Sequence, residues 1–305
     1  MIRNNSSLQK QDCFFAFDNI LGKSDWAKRT RRRVMQLGRH RFNTFISGPE
    51  GSGKQLVARA LHEHGPRRDA PFIPVDCSRL PSFLFRTQML GCAYRETTTL
   101  GCLRSADGGT IYLSNVDALD LDSQQLLLEV IESSTVKAHG SDITEKVDVR
   151  VIASSTTCLE EAVRNGKFLP QLYSRLCVLP FETTALTDRK EDIQLIAKHL
   201  LARITFEQGL TATRFSDDAL EALVSYNWPG NVGELWETIE EAAQNVAGEF
   251  IGSYDLGIEN ANSWPTLEEM QRDHIRSTID RVNGDVERAA ELLGIAEGEL
   301  RRQME

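Results

Sequence analysis

The 305 residues of the chain are 41% hydrophobic and 26% charged, which is ordinary for a globular protein and enough for a two-layer α/β domain with one or two small domains. A formal net charge of −9 argues against broad nonspecific binding to nucleic acid, although it allows one small DNA-binding module. No apolar run is long enough to span a bilayer and no signal-peptide core begins the chain, so we expect a cytoplasmic protein without membrane contact.

Residues 1–18 predict a short N-terminal tail. Six cysteines are scattered along the chain without C-x-x-C spacing or neighbouring histidine pairs, which favours reduced structural thiols over a metal site. We therefore expect no dedicated metal centre at these positions: Cys13, Cys77, Cys92, Cys102, Cys158 and Cys177.

A glycine-rich turn lies between an apolar strand that ends at Ser47 and a helical pattern from about Lys54 to His62. Its three glycines allow the backbone N–H groups to surround a triphosphate, Lys54 offers a positive charge, and the helix N-terminus adds its dipole. A chance turn is the competing interpretation, but the strand before it and the helix after it argue against chance. We predict a phosphate-binding P-loop formed by Gly48, Pro49, Glu50, Gly51, Ser52, Gly53, Lys54 and Gln55.

Beyond the P-loop, short apolar strands alternate with helical patterns such as 123–133. This alternation predicts a parallel sheet with helices on both faces, and a ligand site at the carboxyl ends of its strands. The predicted strands cover residues 72–75, 110–113, 149–153 and 178–181.

From about residue 186 the strand patterns stop and helical patterns follow, at 192–206, at 217–226 and, after a Trp-Pro-Gly-Asn turn, through residue 245. The predicted fold class is therefore α/β, with an α-helical lid and a small all-α domain behind it. The predicted divisions are the tail 1–18, an α/β P-loop domain 19–185, a helical subdomain 186–260 and an all-α domain 264–305.

Seven segments of the chain match the sequence pattern of one protein family. They are Ile20–Gly22, the P-loop, Val75–Ser78, Ala106–Thr110, Val147–Ala153, Arg189–Ile193 and Trp228–Val232. With them, residues 20–250 resemble the central AAA+ domain of bacterial sigma-54-dependent transcription activators. The resemblance implies an ATP-binding subunit that forms a ring with copies of itself or with homologous AAA+ subunits. It also implies RNA polymerase with sigma-54 as the target.

The chain departs from this family at the residues that carry out ATP hydrolysis in the family. The strand 110–113 is followed by Ser114 and Asn115, where the family has an Asp that anchors Mg²⁺ and a Glu that polarises the attacking water. The resemblance therefore implies weaker Mg²⁺ retention and impaired hydrolysis. Asp117 is near in sequence, where a helix-start role is favoured over a relocated catalytic role. The residue after the P-loop lysine, Gln55, is a milder departure, since the family usually has Glu there.

Other functional positions of the family have also changed. The sensor I asparagine aligns with Thr156, the first arginine finger with Leu169 and the sensor II arginine with Gly233, whereas the second finger is retained as Arg175. The loop that grips sigma-54 in the family is replaced by the shorter stretch 91–101. The resemblance implies that Arg175 reaches the nucleotide of a neighbouring subunit, and that the usual sigma-54 contact is missing.

The C-terminal segment resembles a Fis-type helix-turn-helix, with its first helix at 287–295 and its recognition helix at 299–304. Between residues 264 and 305, six arginines stand against ten acidic residues, a net charge of −4. Mainly Arg301 and Arg302 are available to neutralise phosphates. Two interpretations stay open, a DNA-binding module and a dimerising helical bundle that does not bind DNA.

Three functions follow from these observations. The first is a transcription regulator that binds ATP and works by assembly with little or no hydrolysis. The second is an active ATPase of the same type with relocated catalytic groups, a role that Asp117 would have to fill. The third is a scaffold or antagonist of intact homologues.

Overall fold

A computed structural model describes residues 20–94, 97–246 and 248–258, and in the C-terminal segment 275, 278, 279, 282, 285–296, 298, 300 and 301. The predicted tail 1–18 and Arg302 lie outside the described residues. The chain divides into two compact units, Met1–Arg189 and Lys190–Glu305. The finer domain boundaries expected from the sequence stay predictions.

A five-stranded sheet forms the centre of the first unit. Its strands are β1 Thr44–Ser47, β2 Phe72–Asp76, β5 Thr110–Ser114, β8 Arg150–Ser155 and β9 Leu179–Glu182. Their order is β2-β5-β8-β1-β9 and every neighbouring pair is parallel. The predicted parallel sheet is confirmed, and each predicted strand ends within two residues of the observed one. The order places the carboxyl ends of β1, β8 and β5 side by side.

Helices cover both faces of this sheet, as predicted. They are α1 Asp25–Gly38, α2 Lys54–Glu63, α3 Ser82–Leu90, α4 Cys102–Ser105, α5 Leu121–Ser133, α6 Leu159–Arg164 and α7 Pro170–Leu176. Because successive strand side chains point to opposite faces, β5 contributes to two cores. Ile111 and Leu113 pack in one core with side chains of α3, α5 and α7, whereas Tyr112 packs in the other with Val34 of α1 and Leu61 of α2.

Two antiparallel hairpins project from this core. One joins β3 Gly91–Tyr94 to β4 Thr97–Leu100, and the other joins β6 Thr135–Lys137 to β7 Thr144–Lys146. The backbone N–H of Ala93 donates to the carbonyl of His139 (2.8 Å), and the N–H of His139 donates to the carbonyl of Gly91 (3.0 Å). The stretch 91–101, which the resemblance aligns with the family's longer sigma-54 loop, therefore contains a hairpin whose first strand is bonded to the segment between β6 and β7.

The second unit is mainly helical, as predicted for a lid. It contains α8 Lys190–Gln208, α9 Asp217–Ser225 and α10 Asn231–Asn245, with a two-residue parallel pair β10 Arg214–Phe215 and β11 Phe250–Ile251. Trp228 is 1% exposed and donates its indole N–H to the carbonyl of Leu223 at 2.8 Å. This bond holds the turn that separates α9 from α10.

The C-terminal segment of this unit contains α11 Val286–Leu293. Asp285 caps its N-terminus by accepting from the backbone N–H of Arg288, and Gly294 follows its end with φ +67°. The segment has a small core of its own, formed by Ile275, Ala289, Ala290 and Leu300. Across the part of the chain that the structure describes, no helix has the length and apolarity needed to cross a membrane.

Candidate nucleotide site

The loop after β1 adopts a backbone path that depends on its glycines. Gly48, Gly51 and Gly53 have φ values of +145°, +67° and +96°, a region that side chains disfavour. At Gly48 a Cβ atom would also lie 2.1 Å from Oγ1 and 2.5 Å from the carbonyl oxygen of Thr183. The loop ends in α2, with Gly53 at the N-cap and Lys54 as the first helical residue.

Lys54 is folded back onto this loop. Its ammonium donates to the carbonyls of Gly48 (2.9 Å) and Pro49 (2.8 Å), and the side chain is buried. Burial lowers the pKa of Lys54, while the negative charges of Glu50 and Asp117 raise it. A phosphate is a stronger acceptor than these carbonyls because it is charged, so the ammonium is placed to exchange one partner for the other.

The far side of the loop is fixed by the end of β9. The hydroxyl of Ser52 donates to the carbonyl of Pro49 (2.7 Å) and lies 2.8 Å from Oγ1 of Thr183. The backbone N–H of Thr183 donates to the carbonyl of Ser47 at 2.8 Å. These bonds tie the loop at both ends to a residue more than 130 positions later in the chain.

Arg189 supports the same loop from the end of the first unit. Its guanidinium donates to the carbonyl of Ser52 (3.0 Å) and lies 4.0 Å from the ring centroid of Trp26. The sequence prediction missed both Thr183 and Arg189 as loop supports. Arg189 belongs to a segment that resembles the family, but no sequence pattern indicates what its side chain contacts.

The eight predicted loop residues thus form one continuous site, with different exposures. Ser52 and Lys54 are buried, whereas Glu50 and Gln55 are exposed. Gln55 is the second residue of α2. An amide there carries no negative charge, so it adds no anionic ligand for Mg²⁺.

The neutral residues Ser114 and Asn115 lie at the end of β5, two strands away from β1, the strand that leads into the loop. Asn115 has φ +53°, and its amide donates to Oδ1 of Asp76 (3.1 Å) and to the hydroxyl of Ser78 (3.4 Å). Burial raises the pKa of Asp76, but hydrogen bonds from Ser78 and Asn115 outweigh it, and the net pKa is below its ordinary value. Asn115 therefore stabilises an ionised carboxylate and cannot itself accept a proton from water.

Asp117 lies in a short 3₁₀ turn, Val116–Ala118, that follows this pair. Oδ2 of Asp117 accepts from the hydroxyl of Thr157 (3.0 Å), and its Oδ1 is buried with no hydrogen-bond partner among the described residues. The following helix, α5, is capped instead by Asp120, which accepts from the backbone N–H of Ser123 at 2.9 Å. Asp117 thus lies in the first turn of a 3₁₀ helix, which fits the expected helix-start role. Its carboxylate does not cap α5.

The remaining predicted positions are spread over both units. Thr156 is exposed after β8, and Leu169 occupies the N-cap position of α7 and packs against the core. Arg175 in α7 is exposed and pairs with Glu132 of α5 at 3.1 Å, not with a P-loop residue. Gly233 is exposed in α10, in the second unit.

Of the two predicted DNA contacts, Arg301 is exposed and helical, whereas Arg302 lies outside the described residues.

Among the described residues, no group of three or more His, Cys, Asp or Glu side chains could hold a metal ion. The five described cysteines are free thiols, and burial raises the pKa of Cys77 to about 12. A magnesium ion at the loop would therefore need phosphate oxygens among its ligands, as is usual for Mg²⁺ at nucleotide sites.

A glycine loop with a buried lysine, set between a parallel strand and a helix and followed by a helical lid, defines a P-loop NTPase fold of the AAA+ type. Residues 20–182 match the family model described as the sigma-54 interaction domain, and residues 187–272 match the AAA+ ATPase lid domain. The chain belongs to the sigma-54 interaction domain family and is homologous to the sigma-54-dependent activators.

The response regulator protein PilR of Pseudomonas aeruginosa is 33% identical over 307 residues, covering 94% of this chain and 69% of PilR. The Nif-specific regulatory protein of Enterobacter agglomerans is 36% identical over 236 residues, covering 75% of this chain and 45% of that protein. The chain thus spans about half to two thirds of these relatives.

Crystal structures of NtrX from Brucella abortus in complex with ADP and with ATP are also similar. Their TM-scores are 0.74 and 0.73 and their identities 26% and 27%. Each alignment covers 98% of this chain, and 71% and 72% of the NtrX chains, respectively.

Proposed function

We propose that this protein is an ATP-binding transcription regulator of the sigma-54 activator type in which ATP hydrolysis is severely impaired. The observation that carries the proposal is the contrast between two neighbouring parts of one site. The P-loop keeps its glycines and its buried Lys54, whereas Ser114, the last residue of β5, and Asn115, which follows it, carry no negative charge.

Nucleotide binding depends on the part that is intact. The backbone of the loop, the N-terminus of α2 and the ammonium of Lys54 require neither Ser114 nor Asn115. The complexes of NtrX with ADP and ATP support the same ligand for this homologous chain. We therefore assign ATP as the nucleotide, held by residues 48–55.

Hydrolysis depends on the part that has changed. A positioned general base contributes typically 10² to 10⁴ in rate, and an arginine finger about 10³ to 10⁵. These factors do not multiply when the groups act together, so we use one loss of about 10⁴, which raises the barrier by about 5.4 kcal/mol. The amide of Asn115 is bonded to Asp76 and cannot supply the missing base. ATP would then act as a bound ligand and not as a fuel.

A regulator of this kind works by assembly. Retention of Arg175, exposed in α7, is consistent with a ring of identical or homologous AAA+ subunits in which the arginine approaches the neighbour's nucleotide. The β3–β4 hairpin takes the place of the usual sigma-54 loop, and its first strand is bonded to the segment around His139. We expect any contact with RNA polymerase that carries sigma-54 to use a different surface.

DNA binding through the C-terminal segment is part of the proposal. Arg301 lies after α11 in the chain, is helical and is exposed. Binding of a labelled duplex at low and at moderate salt tests it, since each neutralised phosphate makes affinity depend on salt. Loss of the salt-dependent signal in Arg301→Ala supports the DNA role, whereas absence of any signal in the unmodified protein favours a dimerising bundle.

Calorimetric titration with ATP and phosphate release, measured on one preparation, test the proposal as a whole. We expect ATP binding that is lost in Lys54→Ala, together with phosphate release at the level of that variant. An exposed surface lysine, Lys190, provides the matched control, because Lys190→Ala removes the same charge outside the loop. Phosphate release well above that of Lys54→Ala would favour an active ATPase.

A further inference from the structure

We propose that Asp117 is the carboxylate that holds magnesium at this site, together with the phosphates of a bound nucleotide. It would replace the acidic residue that is missing at Ser114, three positions earlier. The inference rests on the proposed nucleotide binding and deepens it, since it assigns the metal ligand of that same site.

The position of Asp117 follows from the path of the chain after β5. The left-handed backbone of Asn115 (φ +53°) redirects the chain after β5, and the 3₁₀ turn Val116–Ala118 follows at once. Thr157, just beyond the end of β8, then donates its hydroxyl to Oδ2 of Asp117. Because β8 lies between β5 and β1 in the sheet, this bond holds the carboxylate on the side of β5 that faces the P-loop strand.

Thr157 is itself held in place. Its backbone N–H donates to the hydroxyl of Ser155 (3.0 Å), and that hydroxyl in turn donates to the carbonyl of Thr157 (2.9 Å). Ser155 is the register partner of Ser47, the last residue of β1. The residue that orients Asp117 is therefore bonded to Ser155, which lies beside the last residue of the strand that leads into the P-loop.

One oxygen of the Asp117 carboxylate is unsatisfied. Oδ1 of Asp117 is buried and has no hydrogen-bond partner within the described part of the chain. A buried polar atom without a partner is costly and rare. Since Oδ2 is already held by Thr157, the free oxygen is oriented and lacks only a cation or a donor.

Asp117 also interacts electrostatically with the P-loop lysine. Its negative charge acts on the Lys54 ammonium, where it opposes the lowering of the pKa by burial. The carboxylate does not bond directly to that ammonium, which donates to Gly48 and Pro49. A triphosphate beside Lys54 would bring its own negative charges towards Asp117, and a divalent cation between them removes the repulsion. Mg²⁺ bound by one or two carboxylates plus phosphates is the usual arrangement at such sites.

The test compares ATP affinity with excess Mg²⁺ and with EDTA in the unmodified protein and in Asp117→Asn. This substitution keeps the shape of the side chain and removes its charge. We expect the variant to bind ATP with Mg²⁺ at least about tenfold more weakly. With EDTA we expect equal or tighter binding, because a repulsive charge is gone. Asp122→Asn, which neutralises an exposed carboxylate of α5 five positions later, should change neither affinity.

A second variant guards against loss of folding. Thr157 is exposed, and Thr157→Val removes the hydroxyl donor that orients Asp117. This variant should weaken only the Mg²⁺-dependent part of ATP affinity. If Asp117→Asn bound ATP with Mg²⁺ as tightly as the unmodified protein, or more tightly, the carboxylate would be only a counter-charge for Lys54 and the inference would be overturned. Failure of the unmodified protein to bind ATP under either condition would overturn the proposed function as well.

Discussion

The side-chain amide of Asn115 donates a hydrogen bond to Oδ1 of Asp76 across 3.1 Å. The bond joins the ends of two neighbouring strands, since Asp76 is the register partner of Ser114. Asp76 also accepts from the hydroxyl (2.7 Å) and the backbone N–H (3.1 Å) of Ser78. The family resemblance places a glutamate at Asn115, and a carboxylate there would face the negative charge of Asp76. The neutral amide is thus matched to its neighbour.

We predict that Asn115→Asp destabilises the protein by about 1–3 kcal/mol, because it replaces a donor by a like charge beside a partly buried carboxylate. Asp76→Asn in the same chain should restore much of this loss, since the new amide can donate to the new carboxylate. Urea unfolding of the two single variants and the double variant gives the coupling free energy. Simple addition of the two single effects would contradict the matched pair.

A second prediction concerns the backbone of the P-loop. Gly48→Ala and Gly53→Ala both place a side chain at positive φ, but only at Gly48 does the added Cβ meet another residue, Thr183 at 2.1 Å. We expect Gly53→Ala to destabilise by about 1–2 kcal/mol from backbone strain. Gly48→Ala should destabilise by at least about 1 kcal/mol more, because β9 must move. Thermal unfolding with equal midpoints for the two variants would contradict this close approach.

A third prediction concerns pH. His62 is buried in α2 with Nδ1 2.9 Å from Oγ1 of Thr110. Burial, followed by the charges of Arg59 and Arg150, lowers the pKa of His62 below its ordinary 6.5. The imidazole of His62 is therefore protonated at a higher pH in the unfolded chain than in the folded chain. The contribution of His62 to stability is complete above about pH 6.5 and is lost as the pH falls through the lower pKa of the folded state.

The comparison needed is between the unmodified protein and His62→Asn, whose amide can approach the position of Nδ1. We expect the free energy of unfolding of the unmodified protein to fall between about pH 7.5 and pH 5.5 by more than that of the variant. His199, whose pKa burial also lowers, is the matched control, because His199→Asn should leave the His62 part of the slope intact. Parallel pH curves for the unmodified protein and His62→Asn would count against the buried, neutral imidazole.

Much of the architecture was predictable because its signals are local. The strand, glycine turn and helix around Lys54 follow from hydrophobic periodicity and from the conformational freedom of glycine, and the alternation of strands and helices specified the parallel sheet. The β3–β4 hairpin was not predicted, because its two strands are four residues long and its first strand is stabilised by a residue far along the chain. His139 donates its N–H to the carbonyl of Gly91 and accepts from the N–H of Ala93.

The details of the site were less accessible, because they depend on contacts between distant residues. Thr183 reaches Gly48 and Ser52 only once β9 lies beside β1. The setting of Asp117 depends on the register that brings Thr157 next to it. From the sequence, Asp117 was favoured as a residue near the start of a helix, with a relocated catalytic role as the alternative, whereas its unsatisfied oxygen is a property of the folded chain.

The fate of the terminal phosphate in a single turnover tests the central claim most directly. Protein in excess over ATP labelled at its γ-phosphate is mixed with Mg²⁺, and bound ATP and released phosphate are measured from the same samples over time. We predict that ATP is retained through Lys54 and that the bound label remains intact for many minutes. Release of labelled phosphate at a rate on the order of 1 s⁻¹, abolished by Lys54→Ala, would contradict the account.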